Sequence, residues 1–280
     1  MTPAAPRVLK AIIEYDGTAF AGSQVQPNAR TVQGELEKVL NRLIGVRTKV
    51  RLAGRTDAGV HATGQVAAFH LPREIAREGG LPGLQQRVNA ALPPDLAMRA
   101  LRAAAQGFDP RRDARWRVYR YRILMNGARH PLDRYRTLEI DETLDIGAMR
   151  AAAARMLGER DFAAMGADAR GRTVRHLAEL RVARRGNVVE IRATANAFLR
   201  RMVRSIVAVL LEVGRGRIDP ASVETMMDEG RRALHGRAAP PHGLTLERII
   251  YRSANEPKNE RAPGRRGPVR NQGKPESTST

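Results

Sequence analysis

The chain has 280 residues, enough for one large domain or two modest ones; 42% are hydrophobic but only 4% aromatic, so Leu, Val, Ile and Ala must fill the interior. It contains no cysteine, which excludes disulfides, thiolate nucleophiles, zinc ribbons and iron–sulfur clusters and fits a reducing compartment. With 49 Lys and Arg against 29 Asp and Glu the net charge is +20, a balance that points to a polyanionic partner, nucleic acid ahead of an anionic membrane.

The N-terminal residues Met1-Thr-Pro-Ala-Ala-Pro-Arg7 carry no apolar signal core. No run approaches the roughly 18 apolar residues of a membrane span, and a cytoplasmic protein without membrane contact is expected. From Arg7 to Tyr15 the chain reads as a first strand, closed by the turn dipeptide Asp16-Gly17. A polar loop runs to Arg30. Thr31 then serves as N-cap of a helix whose Val32, Leu36, Val39, Leu40 and Leu43 recur at helical spacing and which Gly45 stops.

Two short apolar runs next flank a glycine-rich loop from Leu52 to Ala68, in which Gly54, Gly59 and Gly64 surround one carboxylate, Asp57. Glycine permits backbone angles that other residues resist and lets another molecule approach the main chain closely. An isolated Asp-x-Gly is most often turn chemistry, with the carboxylate bonding its own backbone. Leu84 to Leu92 reads as a short helix ended by Pro93-Pro94, and Asp95 to Ala104 as a strand.

From Trp116 the order repeats. Arg117 to Leu124 alternates as a strand, with Tyr119, Tyr121 and Ile123 on one face. Leu144 to Leu157 is an Ala-rich helix stopped by Gly158, and Leu177–Ala183 with Val188–Ala195 forms a hairpin across Arg185-Gly186-Asn187. Phe198 to Val213 reads as an amphipathic helix burying Phe198, Met202, Ile206, Val209, Leu210 and Val213. Ser222 to Glu229 is a short helix and Leu246 to Tyr251 a closing strand. The expected fold is α+β, with two similar halves, each an antiparallel sheet with helices on one face, meeting at a central basic cleft. The halves are placed at 1–106 and 107–252. Residues 253–280 hold four prolines and six basic side chains against three acids, and this basic tail is expected to be disordered.

The six histidines show no metal-ligand spacing, and no phosphate loop, dinucleotide fingerprint or serine-hydrolase elbow occurs. Asp57 is left as the candidate for chemistry. Arg200 and Arg204 lie four apart in the predicted helix; Arg204 falls between Val203 and Ile206 at the margin of the apolar surface, and a partly buried Arg wants a carboxylate, for which Asp57 is the candidate. Tyr119 suits sheet packing, and equally suits stacking on an unpaired base. The alternating Arg117, Arg120 and Arg122 would suit nucleic acid.

Gly54-Arg-Thr-Asp-Ala-Gly-Val-His-Ala62 closely resembles the catalytic motif of the tRNA pseudouridine synthase A family, and further blocks follow in order. They are Tyr15-Asp-Gly-Thr-Ala-Phe20, Thr31-Val-Gln-Gly-Glu-Leu-Glu37, Tyr119-Arg-Tyr121, Ala195-Asn-Ala-Phe198 with Met202-Val-Arg204, and Ala239-Pro-Pro-His-Gly-Leu244, spanning roughly residues 8 to 251. The resemblance implies Asp57 as nucleophile, Arg204 as its ionic partner, Tyr119 stacking on the target base, Leu244 as an apolar pocket wall and Arg55 in RNA binding and base flipping. It also implies a homodimer needing no metal or cofactor, acting on uridines 38 to 40 of the tRNA anticodon stem-loop. Ser23 stands where the family usually has Trp, and Met165 where an aromatic is common. Two other classes compete on residues alone. A non-catalytic RNA-binding protein with a basic double-sheet platform explains the charge and the tyrosines but gives Asp57 no reason to sit in a basic site. A metal-dependent nuclease needs several clustered acids, and only Asp57 lies in the loop.

Overall fold

Strand β1 (Arg7–Tyr15) buries Leu9, Ala11, Ile13 and Tyr15 at alternate positions, as a strand with one face on the core must. The computed structural model describes residues 7–72, 80–127, 130–167, 171–230 and 233–252; the expected tail, 253–280, lies outside the described residues. Helix α1 (Val32–Ile44) begins and ends on local chemistry. The Thr31 side chain accepts a hydrogen bond from Gly34 N–H, and Gly45, left-handed at φ 75°, donates its N–H to the Asn41 carbonyl.

Strands β2 (Arg51–Leu52) and β3 (His61–Leu71) flank the glycine-rich loop. Helix α2 (Gly80–Ala91) starts earlier than its apolar pattern predicts. Its buried positions are Leu84 and Val88 alone, and Pro82 sits in the first turn, where a backbone N–H has no intrahelical acceptor. Strand β4 (Leu96–Ala103) follows.

The chain continues with β5 (Ala114–Met125), β6 (Leu138–Ile140), α3 (Ile146–Arg155), β7 (Gly158–Asp161), β8 (Val174–Arg185), β9 (Val188–Ala195), α4 (Met202–Gly214), α5 (Ser222–Asp228) and β10 (Leu244–Tyr251). Helix α3 is shorter than expected because Asp145 caps it, accepting from Ala148 N–H, and Gly158 opens strand β7 rather than merely ending a helix. Helix α4 begins four residues later than predicted. Arg201 is left-handed (φ 62°), so residues 198 to 200 cannot belong to the helix and Arg200 does not share a helical face with Arg204. The helix is also buried almost all round, with Ser205, Val207 and Leu211 inside as well as the predicted stripe.

The class is α+β, as expected, but the strands form one sheet rather than two. Its order is β4-β1-β3-β10-β5-β9-β8-β7, with β2 paired to β3 and β6 to β5. Strand β10, last in the described chain, closes the seam. It runs parallel to β3 at Thr245↔His61 and Leu246↔Ala62, and antiparallel to β5, placing Leu244 opposite Tyr121 and Leu246 opposite Tyr119. One contiguous core follows, containing Leu36 and Leu40 of α1 together with Tyr121, Ile191 and Ile206.

Candidate active site

The loop between β2 and β3 lies at this seam. Gly59 in this loop and Gly64 in β3 serve packing inside the protein rather than the approach of another molecule. A Cβ on Gly64 would fall 2.1 Å from the Glu247 carbonyl oxygen, so only glycine lets β3 and β10 run this close. Gly59 has φ +77°, and its added Cβ would meet the Pro241 ring at 2.9 Å.

Asp57 does not cap its own turn with its side chain. Its Oδ2 accepts a hydrogen bond from Arg204 Nη1 at 2.8 Å, across 147 residues of sequence. Arg204 lies in the first turn of α4 and is held from a second side, its Nε donating to the Ala239 carbonyl at 2.7 Å while Ala239 N–H donates to the Arg204 carbonyl at 3.0 Å. The pair is mostly enclosed, with the arginine side chain 14% and the carboxylate 29% exposed. Each ion therefore depends on the other more than it would at the open surface. Asp57 keeps enough exposure to meet a substrate.

Tyr119 is buried on β5, directly across from Leu246. Its hydroxyl reaches the Arg55 carbonyl at 3.4 Å, a weak contact, and its ring stands edge-on to Phe198 with centroids 5.2 Å apart. Burial pushes its phenol well above the ordinary range, and the nearby Asp57 charge acts in the same direction. Tyr119 is therefore neutral at physiological pH and offers a ring face and a hydroxyl, not a base. Leu244 is buried at the start of β10, one residue before the pairing with His61. Arg55 supplies its carbonyl to the site; its guanidinium is exposed and makes no ion pair among the described residues. The structure thus gathers Asp57, Arg204, Tyr119 and Leu244 around the seam and leaves the Arg55 side chain outside it.

Several partners carry no local sequence signal. Phe198 lies ahead of α4 and touches Tyr119, whereas the 3.6-residue pattern places it in the helix. The Ala239 carbonyl, which holds Arg204, belongs to the quoted Ala239-Pro-Pro-His block, but nothing in its residue types announces the contact. His61 is structural. Its Nδ1 accepts from Gly17 N–H at 3.0 Å, so Nε2 carries the proton and donates to the carbonyls of Tyr135 (2.6 Å) and His242 (3.1 Å).

The alternating arginines of β5 are engaged within the protein. Arg117 donates to the carbonyls of Ala114, Asn196 and Arg111, while Arg120 and Arg122 lie against Glu190, Glu247 and Asp133. The expectation that this row faces nucleic acid is not supported, because carbonyls and carboxylates already occupy the guanidinium groups. Met165 and Ser23 are both fully buried, so the two departures from the family pattern are interior positions. Among the described residues no group of three or more His, Asp or Glu side chains is placed to hold a metal ion, and no helix is long and apolar enough to cross a membrane.

Residues 11–103 and 152–252 match the family model described as tRNA pseudouridine synthase. The first segment carries Asp57, the second Arg204 and Leu244, and Tyr119 falls between them. A Myxococcus xanthus protein described as tRNA pseudouridine synthase A is 43% identical over 247 residues, covering 87% of this chain and 92% of its own length. Proteins of the same description from Geotalea uraniireducens and Geobacter sulfurreducens are 43% and 41% identical, covering 88% of this chain and 100% of their own lengths.

Proposed function

This chain belongs to the tRNA pseudouridine synthase family, and from that premise we propose that it isomerises uridines 38 to 40 of the tRNA anticodon stem-loop, with Asp57 as the nucleophile acting on a flipped-out base. As a member of that family it is an isomerase acting on tRNA. The observation that carries the site assignment is the Asp57–Arg204 pair, which holds one partly exposed carboxylate beside the seam between β3 and β10.

The reaction breaks the N1–C1′ bond and makes a C5–C1′ bond; N1 gains a proton and C5 loses one to solvent. No atom is added and no electron leaves, so one carboxylate has three available roles: attack at C1′, addition to C6 of the uracil, or abstraction of the 2′ proton. All three need the nucleotide out of its stack, because C1′ and C6 are hidden in a helical stem. In this reading Tyr119 stacks on the extruded base, Leu244 forms an apolar wall, and Arg55, whose guanidinium is exposed, contacts the RNA during extrusion. Residues 1–106 and 107–252 act as the two walls of a basic cleft, Asp57 coming from the first and Arg204 from the second. The enzyme acts in the cytoplasm as a homodimer without metal or cofactor, which light scattering and assay in excess EDTA check.

The direct test is tritium release from 5-³H-uridine in an anticodon-arm RNA, with Asp57→Asn alongside. The wild type should release tritium and the variant should fall to background while melting at the same temperature. Release by Asp57→Asn at the wild-type rate would remove Asp57 from the chemistry.

A further inference from the structure

Among the described residues Arg204 is the one hydrogen-bond donor to the Asp57 carboxylate. The direction in which that carboxylate points is therefore set by Arg204 and by the backbone just before Asp57. That backbone, Gly54 to Thr56, is gripped from beneath by three buried residues far apart in sequence: Tyr15, Ser23 and Gln65.

Ser23 takes both main-chain groups of Thr56. Its N–H donates to the Thr56 carbonyl at 3.1 Å, and its hydroxyl oxygen accepts from Thr56 N–H at 2.9 Å. Ser23 is itself fixed to the first turn of α1, its carbonyl accepting from Gln33 N–H at 2.9 Å. The Thr56 hydroxyl shares a 2.8 Å hydrogen bond with the Tyr15 hydroxyl. Gln65 then holds the other end of the loop, donating to the Gly54 carbonyl at 2.8 Å and accepting from Gly54 N–H at 3.3 Å. The network ties strand β1, the start of α1 and strand β3 to the two residues that bracket Arg55 and lead into Asp57. Buried networks with every member satisfied hold one geometry, and a partly satisfied one does not.

We propose that Ser23, together with Tyr15 and Gln65, is a positioning residue for the reaction: its hydroxyl fixes the Thr56 amide and so aims the Asp57 carboxylate. None of the three touches the reacting carboxylate, so their effect falls on the rate of the chemical step and not on RNA affinity. The inference rests on Asp57 as the reacting group.

The test uses the full chain and a tRNA transcript, measuring single-turnover rate and RNA Kd separately for wild type, Ser23→Ala, Tyr15→Phe, the double variant and Asp57→Asn. Ser23→Ala should slow the single turnover by about 10- to 100-fold, the scale expected when a reacting group is displaced by up to an ångström, with Kd within about twofold, the ordinary scatter of a group outside the interface. Tyr15→Phe removes one oxygen and should also slow turnover. Because both act through Thr56, the double variant should lose less than the product of the single losses. Hydrogen exchange over residues 54 to 57 should accelerate in Ser23→Ala while that of α4 stays unchanged. A wild-type rate in Ser23→Ala or Tyr15→Phe overturns the inference, as does a loss confined to Kd or two losses that simply multiply. If Ser23→Ala does not fold, Tyr15→Phe alone decides. An inactive Asp57→Asn beside a fully active Ser23→Ala sinks the positioning role by itself, whereas an active Asp57→Asn sinks the reading beneath it.

Discussion

On strands β5, β8, β9 and β10 arginines and carboxylates are shared many ways. Arg120 reaches Glu190 at 3.2 Å and Glu247 at 3.0 Å, Arg122 lies 3.1 Å from Asp133, and Arg192 lies between Glu179 and Glu247 at 3.9 Å from each. Arg120 and Arg192 face each other directly across β5 and β9, a like-charge pair that the interleaved acids offset. At the seam, by contrast, Asp57 has Arg204 as its one ionic partner among the described residues, in a more enclosed setting. Shared, half-exposed ions are partly replaceable, since Glu190 and Glu247 each keep a second arginine when Arg120 is removed. Among the described residues the Asp57–Arg204 pair has no such reserve. A sheet-surface ladder of this kind supports structure; an enclosed pair with one partner and a partly open carboxylate suits chemistry.

Breaking the unshared pair should show the largest effect. Arg204→Ala should lower kcat about 100-fold or more, as expected when a preorganised charge beside a reacting group is lost, while circular dichroism stays native. Near-wild-type turnover would make the pair structural like the ladder. The next effect in size concerns Tyr119. Tyr119→Ala should cost about 1–3 kcal/mol of stacking on the extruded base, read as a weaker Kd for RNA holding a flipped analogue. Tyr119→Phe should change little, because the hydroxyl makes only the 3.4 Å contact to the Arg55 carbonyl; a large loss there would move the role from the ring to the oxygen. The smallest effect belongs to the ladder. Arg120→Gln should alter stability by about 1 kcal/mol or less, as exposed pairs do, and leave turnover within twofold. A collapse of activity in that variant would erase the contrast between the two regions.

Much of the local structure is legible in residues that act on their neighbours. Thr31 and Gly45 bound α1 through hydrogen bonds spanning three or four residues, and the alternation along Arg7–Tyr15 reports one buried strand face. Misreadings occur where a local rule meets a distant constraint. Helical periodicity continues through Phe198, but the left-handed Arg201 breaks the helix and frees Phe198 to stand against Tyr119. The alternating arginines of β5 look available to nucleic acid until Glu190, Glu247 and Asp133 arrive from other strands.

What the sequence by itself determined is the inventory: a basic chain without cysteine, a carboxylate in a glycine-rich turn, an arginine at the rim of an apolar helix, and ordered blocks resembling one enzyme family. Composition and short-range hydrogen bonding are properties of adjacent residues, so they can be read along the chain. The tertiary structure alone decided that the described strands join in one sheet, that β10 runs beside β3 within it, and that Ser23 and Gln65 grip the loop ahead of Asp57. Those contacts join residues whose neighbours in sequence carry no trace of one another, and they exist only once the long-range pairing has buried them together.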